Sequence, residues 1–132
     1  MRIYVAGGSS ERGMVGNWIA ALVTSDVEVT LDWTRVPEWD LGREPTHEEL
    51  GRCAAADLDA IRRADVVWLL VPQSKSEGAA AELGFALALG KTIVVSGEIG
   101  ARNIFALGCI HASTHAAGFD RVMELARLAR KS

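Results

Sequence analysis

Val66-Val67-Trp68-Leu69-Leu70-Val71 is an unbroken run of β-branched and large apolar side chains, closed by Pro72. A strand with one wet face alternates apolar and polar residues, whereas one buried on both faces has no reason to, so this run reads as the centre of a parallel sheet. Outward from it, short apolar segments bounded by Gly, Pro or polar residues lie at residues 2–6, 27–31 and 92–96, with a weaker one at 109–111. Helical patterns fill the intervals at about residues 13–24, 46–63, 77–90 and 116–130. Strand and helix alternate along the whole chain, which implies a parallel sheet covered on both faces. Thr46 and Glu49 after Pro45 have capping-box spacing, and Gly90-Lys91 supplies a glycine stop.

The 132 residues, 49% hydrophobic and 23% charged, suit one domain spanning 1–132 and argue against disorder. Fourteen Lys plus Arg against seventeen Asp plus Glu leave a net charge of −3, which offers no field to a polyphosphate backbone, so a nucleic-acid partner is not expected. Cys53 and Cys109 have neither CxxC spacing nor a partner His cluster, and His47, His111 and His115 are scattered. No metal or organic cofactor is expected. The apolar run before Gly7-Gly8 is too short for a signal-peptide core, and no stretch reaches membrane-spanning length, so a cytoplasmic location without membrane contact is expected.

Ligands of open parallel sheets bind beyond the carboxyl ends of the strands, here just after residues 6, 31, 71 and 96. The irregular stretch 32–45, with Trp33, Pro37, Trp39 and Gly42, is long for a strand-to-helix connection and is expected to border such a site. Two acids stand out. Asp57 falls inside the apolar stripe Leu50, Cys53, Ala54, Leu58 and Ile61, either as a stripe edge reaching solvent or as a recessed carboxylate. Glu82 is the one charged residue between Ala79 and Leu89, and its neighbours at three and four positions are Gly78, Ala79, Phe85 and Ala86. Such a carboxylate would be partly desolvated, with an altered pKa, and the small residues around it either admit a ligand or serve close helix packing.

The segment Asp57-Leu58-Asp59-Ala60-Ile61-Arg62-Arg63-Ala64-Asp65-Val66-Val67, the segment Ser76-Glu77-Gly78-Ala79-Ala80-Ala81-Glu82-Leu83-Gly84, Gly90-Lys91 and the opening Ile3-Tyr4-Val5-Ala6-Gly7 together carry a resemblance. In order and spacing they resemble the nucleoside 2-deoxyribosyltransferase superfamily, particularly the branch of deoxynucleoside 5′-monophosphate N-glycosidases. The resemblance implies a flavodoxin-like three-layer α/β domain with a central parallel sheet of four to five strands, and a homodimer acting on a small-molecule nucleotide or nucleoside. It puts Glu82 at the nucleophile that forms a glycosyl-enzyme, Asp57 at the acid that orients the sugar or protonates the departing base, and Tyr4 at the hydroxyl that positions the nucleophile.

For the 5′ end, the turn Gly7-Gly8-Ser9-Ser10-Glu11-Arg12-Gly13 offers N–H groups, hydroxyls and the Arg12 charge, with Ser9 or Ser10 equally readable as a helix cap. Ser76 matches a phosphate-binding serine of the monophosphate branch, beside Gly78. Trp33 offers a flat face to a base or packs its loop on the sheet. Phe105 stands where that branch has a serine reaching the neighbouring subunit's site, and with the divergent glycine turn it motivates an alternative, a non-catalytic nucleotide sensor. The same glutamate chemistry leaves an NAD-cleaving hydrolase as another alternative.

Overall fold

The run at 66–71 becomes the middle of a five-stranded parallel sheet. The structure, a computed structural model, describes residues 1–98 and 103–131. Strands β1 (Arg2–Ala6), β2 (Glu28–Val29), β3 (Val66–Leu70), β4 (Thr92–Ser96) and β5 (Ile110–Ala112) are ordered β2-β1-β3-β4-β5, every pair parallel. All five residues of β3 are buried, as a run without polar alternation demands. This is the expected α/β architecture, with four α-helices among the described residues, α1 (Arg12–Val23), α2 (His47–Arg63), α3 (Glu77–Ala88) and α4 (His115–Ala129).

The helices divide between the two faces. Trp18 of α1 and Phe119 of α4 meet at 5.7 Å over Trp68, which is fully buried, and so share one face. On the other, Arg62 of α2 lies 5.1 Å above the Phe85 ring of α3. The indole N–H of Trp68 donates to Ser96 Oγ at 2.9 Å, and that hydroxyl stands 2.7 Å from His115 Nδ1. Ser96 Oγ thus joins the indole to the imidazole, whose pKa burial lowers. Gly118 permits this close approach of α4, because a Cβ there would lie 2.6 Å from Ser96 Cβ.

The local signals act as chemistry requires. The Thr46 hydroxyl accepts from Glu49 N–H at 3.1 Å, and the Glu49 carboxylate accepts from Thr46 N–H at 2.9 Å. Arg43 also binds Glu49, and together these donors hold its carboxyl at about 2. Gly90 adopts φ 68 after α3, a conformation that other residues reach only with strain.

Two expectations need correcting. The strand at 27–31 pairs only over Glu28–Val29, because β2 is an edge with a single neighbour, β1. The α2 stripe is not continuous: Ala60 and Ile61 are buried in the core, but Leu50 is 49% exposed and Ala54 is exposed. The first half of α2 lies over the sheet's carboxyl edge, where Leu50, Cys53 and Asp57 line a cleft instead of packing on strands. Among the described residues no helix is long and apolar enough to cross a membrane.

Candidate active site

Tyr4 is fully buried in the middle of β1, yet its hydroxyl emerges toward α3 and donates to Glu82 Oε2. Glu82 lies well inside α3, and its carboxyl opens into a cavity of about 440 Å³ at the carboxyl end of the sheet. Asp57, reaching in from α2, lines the same cavity. Strand β1 therefore supplies the anchor, and the two helices on one face supply the acids.

Burial dominates the electrostatics. It pushes the Glu82 carboxyl up to about 7, with the Asp57 charge adding to the rise and the Tyr4 hydrogen bond opposing it. Burial alone takes Asp57 to about 6. The same burial, followed by the charges of Glu82 and Asp57, drives Tyr4 far above its ordinary value, so it remains a neutral donor at any working pH. Both carboxyls therefore titrate close to neutrality, as a coupled pair. Glu82, the more buried of the two, holds the resting proton more tightly; the Tyr4 bond opposes this and favours the ionised Glu82 that attack requires, with the proton carried by Asp57. One carboxylate and one carboxylic acid facing one cavity can perform attack and protonation in the same step.

The rim of the cavity is polar. Gly7, Ser9 and Ser10 come from the turn after β1, and Ser76, Gly78 and the unanticipated Ser74 and Lys75 from the start of α3 and the loop before it. Ser10 and Ser74 hydroxyls lie 3.3 Å apart, so turn and loop close on each other. Glu11 reinforces this closure by accepting the Gln73 N–H at 2.9 Å. Ser76 Oγ caps α3, accepting from Ala79 N–H at 3.2 Å. Only its oxygen is committed, and the hydroxyl proton remains available to an anion. Two of the nominated substrate-binding residues are not in this lining: Gly8, where an added Cβ would meet Pro72, and Arg12, whose guanidinium stacks 4.8 Å over the Trp39 ring.

A second cavity, about 410 Å³, adjoins the first and shares Trp33, Trp39 and Asp57 with it. Its walls are mostly apolar, with Leu31, Val36, Pro37, Pro45, Leu50 and Cys53, and Glu38 and Arg52 at its border. The segment 32–45 encloses it through two short 3-10 turns, Trp33–Arg35 and Pro37–Trp39, and so borders the candidate site. Trp33 is 8% exposed and its indole N–H donates to the Val5 carbonyl at 2.8 Å, tying the segment to β1. It packs the loop and forms part of both cavity walls at once.

Comparison with known proteins agrees with this arrangement. The family model described as nucleoside 2-deoxyribosyltransferase matches residues 3–104, which include every residue lining either cavity. The solved structure of the CMP N-glycosidase BcmB from Clostridium botulinum superposes with a TM-score of 0.56 at 14% identity, covering 92% of this chain and 98% of that one. At that identity the likeness is one of fold. No curated protein sequence matches the chain significantly.

Proposed function

We propose, from the premise that this chain belongs to the nucleoside 2-deoxyribosyltransferase family, that it breaks the N-glycosidic bond of a nucleotide or nucleoside through a glycosyl ester on Glu82. One observation carries the reading: a partly buried carboxylate, held by a buried tyrosine hydroxyl, shares a cavity with a second acid of raised proton affinity. In the first step a Glu82 oxygen bonds to the anomeric carbon as the carbon–nitrogen bond breaks. The base leaves with that electron pair and takes the proton from Asp57. In the second step water or another base attacks the anomeric carbon, returns a proton to Asp57 and frees the Glu82 carboxylate. Tyr4 keeps one Glu82 oxygen occupied so that the other faces the sugar.

The 5′ end of the ligand lies between the turn and the loop. Ser9, Ser10, Ser74, Ser76, the backbone at Gly7 and Gly78 and the charge of Lys75 suit a phosphate, while Glu77 on the same rim opposes one. The hydroxyl-rich rim favours the monophosphate.

The unit acting is a homodimer of one 132-residue domain. Support for the dimer comes from Ile104, Phe105 and Leu107, which are 67%, 68% and 70% exposed, next to Leu87 and Leu89 at the exposed end of α3. An apolar patch of this kind marks an interaction surface. Sedimentation of the wild type and of Phe105→Glu measures it directly, with loss of the dimer in the variant expected.

The activity is tested by incubating the protein with nucleosides, 5′-mononucleotides and NAD and separating the products by chromatography. Release of free base by the wild type and its loss in Glu82→Gln is the expected result. Ligand-induced thermal stabilisation with no release from any compound indicates a sensor, and nicotinamide release from NAD alone indicates the third chemistry. Equal release by wild type and Glu82→Gln refutes the mechanism.

A further inference from the structure

The two cavities meet at Trp33, Trp39 and Asp57, so a ligand with its sugar at Glu82 extends its base across Asp57 toward the apolar cleft. That step rests on the function proposed above. The cleft, about 410 Å³ and mostly aliphatic, is large enough for a fused aromatic ring. Its flat walls are Trp33 and Trp39. Trp33 is 8% exposed and its edge is committed to β1.

Trp39 differs in exposure. It is 39% exposed, an unusual position for an indole that packs no core. Its N–H donates to the Trp33 carbonyl at 2.7 Å, which fixes the ring's edge. The Arg12 guanidinium sits 4.8 Å from the ring centroid and covers one face. The ring is thus oriented by a hydrogen bond, covered on one side by a cation from α1, and part of the lining of both cavities.

We infer that Trp39 is the platform on which the base of the bound nucleotide or nucleoside stacks, with Arg12 bracing the ring from behind and the base lodged in the cleft between segment 32–45 and α2. The cation explains the departure of Arg12 from the phosphate turn: it acts on the platform. A guanidinium on one face and a base on the other form a three-layer stack in which the two outer members never touch. Recognition by stacking is tolerant of base identity, so Trp39 sets affinity for base-bearing ligands as a class.

The test compares ligands with and without a base. Binding of a 5′-mononucleotide panel and of ribose 5-phosphate to the full chain is measured by calorimetry for the wild type, Trp39→Phe and Trp39→Ala, with circular dichroism checking that each variant is folded. The platform predicts roughly ten- to hundredfold weaker nucleotide binding in Trp39→Ala. Trp39→Phe should recover part of the loss, and ribose 5-phosphate should bind all three proteins alike. Equal weakening of both ligand types, or of neither, overturns the platform while leaving the Glu82 reading intact, provided the wild type binds nucleotides. A wild type that binds none of these compounds refutes the underlying reading and the platform together. If Trp39→Ala is unfolded, Trp39→Phe decides: its nucleotide affinity must fall, against an unchanged affinity for ribose 5-phosphate.

Discussion

Replacing Glu82 with Gln keeps the shape of the side chain and an oxygen to accept the Tyr4 hydroxyl, and removes only the ionisation. In the folded protein the Glu82 carboxyl titrates at about 7, against an ordinary value of 4.5. Between these values the native state holds a proton that the unfolded chain has released, so wild-type stability falls as pH rises through this window, and the full penalty stands above about pH 7. At about 1.36 kcal/mol for each tenfold change in proton affinity, the shift corresponds to a ceiling of about 3 kcal/mol. Relaxation and partial solvent access reduce this to about 1–2 kcal/mol. Urea denaturation of wild type and Glu82→Gln at fixed ionic strength from pH 4 to pH 8.5 measures the difference, and the other carboxylates, common to both proteins, largely cancel. The expected difference is near zero at the acid end and grows in favour of the variant to a plateau above neutrality. A difference that is flat with pH, or a variant that loses ground as pH rises, refutes the claim that Glu82 is buried at the cost of its charge.

Three further outcomes follow from the same geometry. Tyr4→Phe removes a hydrogen bond that favours ionised Glu82, so the acid limb of the pH–rate profile should move to higher pH and kcat/KM should fall about ten- to hundredfold, read from initial rates of base release. Asp57→Asn should reduce base release by a factor of about 10² to 10⁴, with much less loss for a synthetic substrate whose leaving group departs without protonation; equal losses for both substrates would remove Asp57 from the proton transfer. Gly118→Ala drives a Cβ into Ser96 and the Trp68 indole N–H, at 2.6 and 2.9 Å, and should cost about 1–3 kcal/mol in urea denaturation while leaving the Glu82 cavity unaltered.

What the sequence made legible follows the physical range of each signal. The β3 run needs no partner to show that it is buried, and the Thr46–Glu49 box is closed within one helical turn, so both were readable directly. Glu82 was conspicuous because a lone charge among alanines is costly wherever the helix packs. Trp39 was not. Its importance depends on two consecutive 3-10 turns that have no periodicity, and on a carbonyl six residues back that becomes its acceptor only once those turns form. Charge and a place in the glycine turn suggest a phosphate contact for Arg12, but a cation's sequence position does not say which neighbour it will face. Ser74 and Lys75 sit in the loop just beyond β3, where the rule of strand carboxyl ends applies, but only the fold shows that this loop closes on Ser10. The buried stripe of α2 is shorter than its periodicity implies, because helical periodicity reports a face without reporting how far the sheet extends beneath it.

Tyr4 is planted in the sheet and takes its rigidity from strands on both sides, whereas the tryptophan-bearing segment 32–45 is tied to that sheet through Trp33, by its packing in the core and its indole bond to Val5. The groups that make and break the bond and the groups that select the molecule consequently belong to separable parts of the architecture. Substitutions in the segment can diversify ligand choice across a lineage without disturbing the paired acids. A change in β1 has no such latitude, since it moves the hydroxyl on which the chemistry is registered.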